Sequence, residues 1–264
     1  MKFAWLTDIH MNFLNATGLS SFLDNLKKAD VNTILIGGDI AESFNIVAYL
    51  EEMEKFLKIP IYFVLGNHDY YHSSIDDTRK RISDFSRESE YSFWLPESGT
   101  IQLDSNTALI GHGSWADTRF GDYLNSFVEL NDYYEIKELS GLSKLERKTV
   151  MMELAEQAAT FTRQHLSKAL DKYDHVYFLT HVPPFRESSW HKGKISDDYW
   201  LPHFSCKVVG DVMLEIMQQY PDRKLTVLCG HTHSSGEAYP LPNITVYTGH
   251  AEYGVPEIQK IFES

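Results

Sequence analysis

The tetrad Gly66-Asn67-His68-Asp69 follows directly on the apolar run Ile61-Tyr62-Phe63-Val64-Leu65. An amide, an imidazole and a carboxylate in a row can each bind a metal or move a proton. The run reads as a buried strand that stops at a glycine. Four other stretches repeat the arrangement. Phe3 to Thr7 runs into Asp8-Ile9-His10, and Thr33 to Gly38 runs into Asp39. Val176 to Thr180 runs into His181, and Leu225 to Gly230 runs into His231-Thr232-His233. Open α/β sheets bind ligands at the carboxyl ends of their strands, so five strand ends carrying metal-type donors point to one site. Taken singly, each residue has a plainer reading. Asp8 or Asp39 could cap a helix, Asn67 could sit in a turn, and His181 could be a buried, hydrogen-bonded histidine. None of these readings explains all five strand ends at once. His231 and His233, alternate residues on an extended segment, point the same way.

The order Asp-x-His, Gly-Asp, Gly-Asn-His-Asp, His, Gly-His-x-His between residues 8 and 233 resembles the calcineurin-like metallophosphoesterases. That resemblance implies an α/β fold, a four-layer α/β/β/α sandwich of two mixed β-sheets flanked by helices. It implies two metal ions, one held by Asp8, His10 and His233, the other by Asn67, His181 and His231. Two ions roughly 3.5–4 Å apart need a shared ligand, and a carboxylate is the natural one. Asp39, the only acidic residue at its strand end, is the candidate bridge. Carboxylate, imidazole and amide donors suit Mn, Fe, Zn, Ni or Co, divalent or trivalent, better than Ca; Mn or Fe is favoured. The resemblance further implies that a hydroxide shared by the two ions attacks phosphorus, and that His68 protonates the leaving oxygen. Asp69 would then orient His68 or hold its protonated form.

The substrate is read from departures within the family. The Ser/Thr protein phosphatases continue their Gly-Asp as Asp-Arg-Gly and use Gly-Asn-His-Glu, with arginines on the phosphate dianion. Here the segments are Gly38-Asp39-Ile40-Ala41-Glu42 and Gly66-Asn67-His68-Asp69-Tyr70-Tyr71, with no arginine beside them. The pattern resembles the phosphodiesterase branch, including bacterial enzymes, so a small phosphodiester is the expected substrate. A metal-dependent nuclease is the alternative enzyme, and a metal-scaffolded, non-catalytic protein-binding module is the alternative class. A formal charge of −13 disfavours a nucleic-acid polymer, which needs a basic track. It does not exclude a small anion, because bound cations dominate their local field. Arg186, His191 and Arg119 are the candidate substrate contacts, although charged loop residues are commonly just solvated. No protein partner is implied.

The elements that must position these residues follow the apolar spacing. With 264 residues and 43% hydrophobic content, one calcineurin-like domain over 1–264 is expected. Insertions over the site are expected at about 115–142 and 185–205, the second read as a loop. Helical spacing recurs at Leu19-Phe22-Leu23-Leu26, across 46–57, 75–90 and 208–219, and over the long stretch 143–171. Asp104-Ser105-Asn106 reads as a hairpin turn that opens a second sheet. Ile244 to Tyr247 reads as the last strand, with a peripheral tail. No apolar run approaches the roughly 20 residues of a membrane span, and the first residues do not read as a signal peptide. The two cysteines, Cys206 and Cys229, form no disulfide framework. A cytoplasmic protein with reduced thiols is expected.

Overall fold

A computed structural model describes residues 1–263. The first half alternates strand and helix: β1 Lys2–Leu6, α1 Ala16–Lys28, β2 Thr33–Gly37, α2 Ile46–Leu57, β3 Ile61–Val64, α3 Ile75–Glu88 and β4 Ser92–Trp94. Helices α1 and α3 start at side-chain caps. Asn15 accepts the Gly18 N–H at 2.9 Å before α1, and Ser74 accepts the Asp77 N–H at 3.0 Å before α3. Strands β1 to β4 pair in parallel, as helical crossovers require.

The chain then turns through α4 Leu95–Ser98 into the hairpin β5 Ile101–Gln102 and β6 Thr107–Gly111. After α5 Asp132–Glu135 come α6 Lys144–Leu170, β7 His175–Leu179, β8 Trp190–His191, β9 Lys194–Ile195, α7 Leu201–Phe204 and α8 Lys207–Met217. The elements β10 Lys224–Cys229, β11 Gly236–Leu241, β12 Ile244–Thr248 and β13 Lys260–Glu263 complete the described chain. A capping box between Ser143 and Glu146 starts α6.

Two mixed sheets result. One runs β13-β1-β2-β3-β4, the other β11-β12-β10-β7-β6-β5. Strand alternation sorts the side chains. Leu35 of β2 joins Phe3, Trp5 and Val64 against Leu109, Tyr177, Leu179 and Leu228 of the other sheet. Its neighbours Ile34 and Ile36 fall in the core that holds Leu23 and Leu50 of α1 and α2. The same alternation in β7 and β10 turns Val176, Phe178 and Val227 toward the core shared with α6 and α8. The helix–sheet–sheet–helix order follows, as the family resemblance implies.

Three expectations are corrected. Ile244–Thr248 is not the last strand, and the tail is not peripheral. Lys260–Glu263 adds antiparallel to β1, and Phe262 stacks on Phe3 with ring centroids 5.3 Å apart. Four residues with only two apolar side chains are too short a pattern to read. Segment 185–205 is not a plain loop: it holds the β8–β9 ribbon and α7. Strands β4 and β11 were not anticipated; Pro240 in β11 argues against a strand except at a sheet edge, which is where β11 lies.

Candidate metal centre

Strands β1, β2, β3, β7 and β10 end at the same edge of the sandwich, and the loops that follow them turn sharply. Asp8, His10, Asp39, His231 and His233 all have positive φ, between 39° and 69°. This left-handed region is strained for most residues, and Asp and His are among the few enriched there. Cross-loop hydrogen bonds hold the turns: Asp8 N–H to Gly38 O at 3.0 Å and His10 N–H to Asp39 O at 2.9 Å. Glycine is obligatory at two contacts. A Cβ on Gly66 would stand 2.2 Å from Asp39 Oδ1, and one on Gly230 would stand 1.9 Å from Asp8 Oδ2.

Two donor sets emerge. In the outer set, ligand atoms of Asp8, His10, Asp39 and His233 all lie within 4.8 Å of one another. His233 Nε2 is 3.4 Å from both Asp8 Oδ1 and His10 Nε2. In the inner set, His181 Nε2 is 2.9 Å from Asn67 Oδ1 and 3.1 Å from His231 Nδ1. Asp39 Oδ2 faces both sets, 3.8 Å from His10 Nε2 and 3.5 Å from His181 Nε2.

The inner contacts are between acceptors. His181 Nδ1 donates to Gly37 O at 2.9 Å, and His231 Nε2 donates to His203 O at 3.1 Å. Each imidazole therefore turns a lone pair toward the other, because a neutral ring carries one N–H. The Asn67 amide donates to Asp132 Oδ1 at 2.8 Å, which leaves its oxygen pointing inward too. Three lone pairs converging with no proton among them repel unless a cation sits between them. The donor set thus fits a metal ion, with the carbonyl partners acting as the outer-sphere contacts that orient metal-bound histidines.

The electrostatics agree. Asp8, Asp39, Asp69 and Asp132 are all nearly inaccessible to solvent. Burial, with the Asp8 and Asp69 charges beside it, pushes Asp39 well above the ordinary carboxylate range. Burial would raise Asp8 too, but His181, His233 and His10 outweigh it and hold Asp8 low. Burial pushes His10 and His231 down to about 3, so both present neutral rings, the form that binds metal. Burial lowers His233 as well, yet the adjacent Asp8 carboxylate more than offsets it and raises the group.

All seven expected ligands are brought together. His68 lines the same cleft, its Nε2 4.0 Å from Asp39 Oδ2 and its ring stacked on Tyr71 at 4.3 Å. The expected role of Asp69 is corrected. Its carboxylate accepts the backbone N–H groups of Ile40, Ala41 and Gly66 at 2.8–3.0 Å. It clamps the β2 and β3 loops together and makes no side-chain bond to His68; burial nonetheless pushes it up to about 7. His191 lines the cleft. Arg119 and Arg186 do not. Arg119 pairs with Asp117 and Glu156 on a separate groove along α6, and Arg186 pairs with Asp198. Both are neutralised by nearer carboxylates.

Four residues escaped sequence reasoning: Asp132, Tyr71, His203 and Tyr253. Asp132 accepts from both Asn67 and the Tyr71 hydroxyl, at 2.8 and 2.7 Å. It lies in an aperiodic stretch with no motif to mark it. His203 acts through its backbone carbonyl, which no sequence pattern reveals. The Tyr253 ring packs 4.6 Å from that of His10. The cleft over both donor sets has a volume of ≈ 240 Å³, and no Lys or Arg lines it.

The sequence model of the calcineurin-like phosphoesterases matches residues 1–235, and the chain belongs to that family. No curated protein sequence matches it. Solved structures show the same fold at low identity. The phosphopantetheinyl hydrolase of Mycobacterium tuberculosis superposes with a TM-score of 0.65 at 11% identity, over 96% of this chain and 90% of that one. A dimetal phosphatase from Danio rerio gives 0.61 at 13%, over 95% and 87%. No helix among the described residues is long and apolar enough to cross a membrane.

Proposed function

We propose that the protein is a binuclear metal-dependent phosphoesterase that hydrolyses a small phosphodiester. One observation carries the diester preference: the cleft over the donor sets holds no lysine or arginine. A phosphomonoester dianion keeps a second negative charge that needs a cation beyond the metals, whereas a diester monoanion does not. Asp8, His10 and His233 would hold one ion, and Asn67, His181 and His231 the other, with Asp39 shared. Two such ions, when bound, polarise the phosphoryl oxygens and lower the pKa of water.

The chain's own residues do the rest. Asp132 and Tyr71 fix Asn67, and Gly37 and His203 fix the inner imidazoles. His68 lines the cleft from the β3 loop and would protonate the leaving oxygen. Burial, helped by His10, His181 and His233, pushes the His68 imidazole down to about 2. A bound phosphate anion beside it favours the protonated ring, which lets it deliver a proton as the ester bond breaks. The test is hydrolysis of bis-p-nitrophenyl phosphate beside p-nitrophenyl phosphate, on metal-stripped protein reloaded with Mn. Faster diester cleavage is expected. Faster monoester cleavage would mean that a cation grips the phosphate after all and would refute the diester preference.

A further inference from the structure

The segment between β12 and β13 lies beyond the residues that the family pattern covers. Its ends are pinned by Gln259, whose side chain accepts the His250 N–H at 2.7 Å and donates to the His250 carbonyl at 2.8 Å. The Gln259 N–H donates to Trp5 O at 2.9 Å, anchoring the segment on β1. His250 Nδ1 lies 3.1 Å from the His233 carbonyl, which ties the segment to the outer donor set. Between these anchors, Val255 N–H bonds to Glu252 O at 3.0 Å, with Gly254 at φ 80°. That is a tight turn whose third residue needs the left-handed conformation, supplied by glycine. The second residue of the turn is Tyr253.

The turn sets Tyr253 over the outer donors. Its ring centroid is 4.6 Å from that of His10, 5.2 Å from His233 and 4.7 Å from Phe13. Phe13 comes from the β1 loop, so two separate segments build one aromatic wall. Both rings remain half open, Tyr253 at 48% and Phe13 at 53% exposure. At the other end of the cleft, Phe204 stands edge-on to His231 at 5.3 Å. Packing alone does not require two large, half-exposed rings beside a buried set of metal-type donors, and their open faces are the apolar counterpart to a cleft without cations.

We propose that Tyr253, with Phe13 behind it, is a substrate-contacting specificity residue that stacks on a planar aromatic ring carried by the phosphodiester. This rests on the phosphoesterase reading for the reaction but not for the ring preference. Two diesters that share the ring-free trifluoroethoxide leaving group test it: benzyl 2,2,2-trifluoroethyl phosphate and cyclohexylmethyl 2,2,2-trifluoroethyl phosphate. Calorimetric binding of phenyl methylphosphonate against cyclohexyl methylphosphonate to the Mn-loaded protein gives a readout independent of turnover. The aromatic member should be preferred roughly two- to tenfold in KM and in Kd. Tyr253→Leu should bring both ratios to one, Tyr253→Phe should keep them, and Phe13→Leu, on a different segment, should reduce them. Equal use of the two members by the wild type would overturn the proposal. So would a Tyr253→Leu or Phe13→Leu variant with the full wild-type preference. If neither diester is turned over while the binding preference holds, the phosphodiesterase reading fails and the aromatic wall stands.

Discussion

The two donor sets share Asp39 but are built differently. In the inner set, each non-bridging ligand has its other polar atom held: His181 by Gly37 O, His231 by His203 O and Asn67 by Asp132. In the outer set the carboxylate is held, since Asp8 accepts from Thr7 Oγ1 at 2.6 Å and from the His231 N–H at 3.0 Å. Its imidazoles are not. His10 Nδ1 is buried without a partner, and the His233 side chain is 26% exposed. Second-sphere contacts of this kind fix the tautomer and orientation of a ligand before metal arrives. The inner set is therefore pre-organised, whereas the outer set leaves its imidazoles without such contacts, with His233 partly exposed and both rings against the aromatic wall. Under the proposed function the difference would suit a firmly held inner ion and an outer ion nearer the variable part of the substrate.

Substitutions can break this comparison. Asp39→Asn removes the shared carboxylate, so both sets should fail together. Turnover should fall below detection, and metal analysis should show the loss; full occupancy in that variant would refute the bridge. His68→Ala removes no proposed metal ligand and keeps the backbone N–H that His68 donates to Asp39. It should leave metal content intact and cut turnover roughly 10²- to 10⁴-fold, the usual share of a general acid. The loss should be greatest for esters with poor leaving groups. Unchanged turnover would remove His68 from the reaction. Asp132→Ala should act on one set only. Losing the contact that orients Asn67 should weaken the inner ion roughly 10- to 100-fold, while the outer ion, followed by competitive chelation, stays put.

A smaller effect gives the background. His112 lies outside both sets, its Nδ1 accepting the Ser114 N–H at 2.9 Å. Burial, with Arg79 nearby, pushes it from 6.5 down to about 3. The unfolded chain therefore binds a proton in this window that the folded chain refuses. Stability should fall as pH drops from about 6.5 toward 3, by roughly 1.4 kcal/mol per pH unit at full slope. His112→Asn keeps an acceptor for Ser114 and should remove that part of the slope in chemical denaturation of metal-free protein. An identical pH profile would contradict it.

Much of this was legible in the sequence because strand ends are local. An apolar run followed by Asp, Asn or His marks both a strand and the edge where its ligand lies. For that reason the gathering of the seven candidate donors at one edge, and the four layers, could be expected. What connects distant loops was not legible. Asp69 lies next to His68 in sequence, yet its carboxylate turns away to bind the Ile40, Ala41 and Gly66 amides. Arg119 and Arg186 have the right charge for phosphate, but Asp117, Glu156 and Asp198 reach them first. Asp132 and Tyr253 act from segments without periodicity, and the tail strand that carries Tyr253 into place has only four residues. Their roles come from tertiary contacts, which no spacing rule encodes.

The most direct test is the count of ions and the order in which they leave. Metal-stripped protein titrated with Mn should take up two ions per chain, in two steps of unequal affinity. The tighter step should be weakened by Asp132→Ala and spared by His233→Ala. A single ion at saturation, or a tighter step that responds to His233→Ala and not to Asp132→Ala, would contradict the division between a pre-organised inner set and an open outer one.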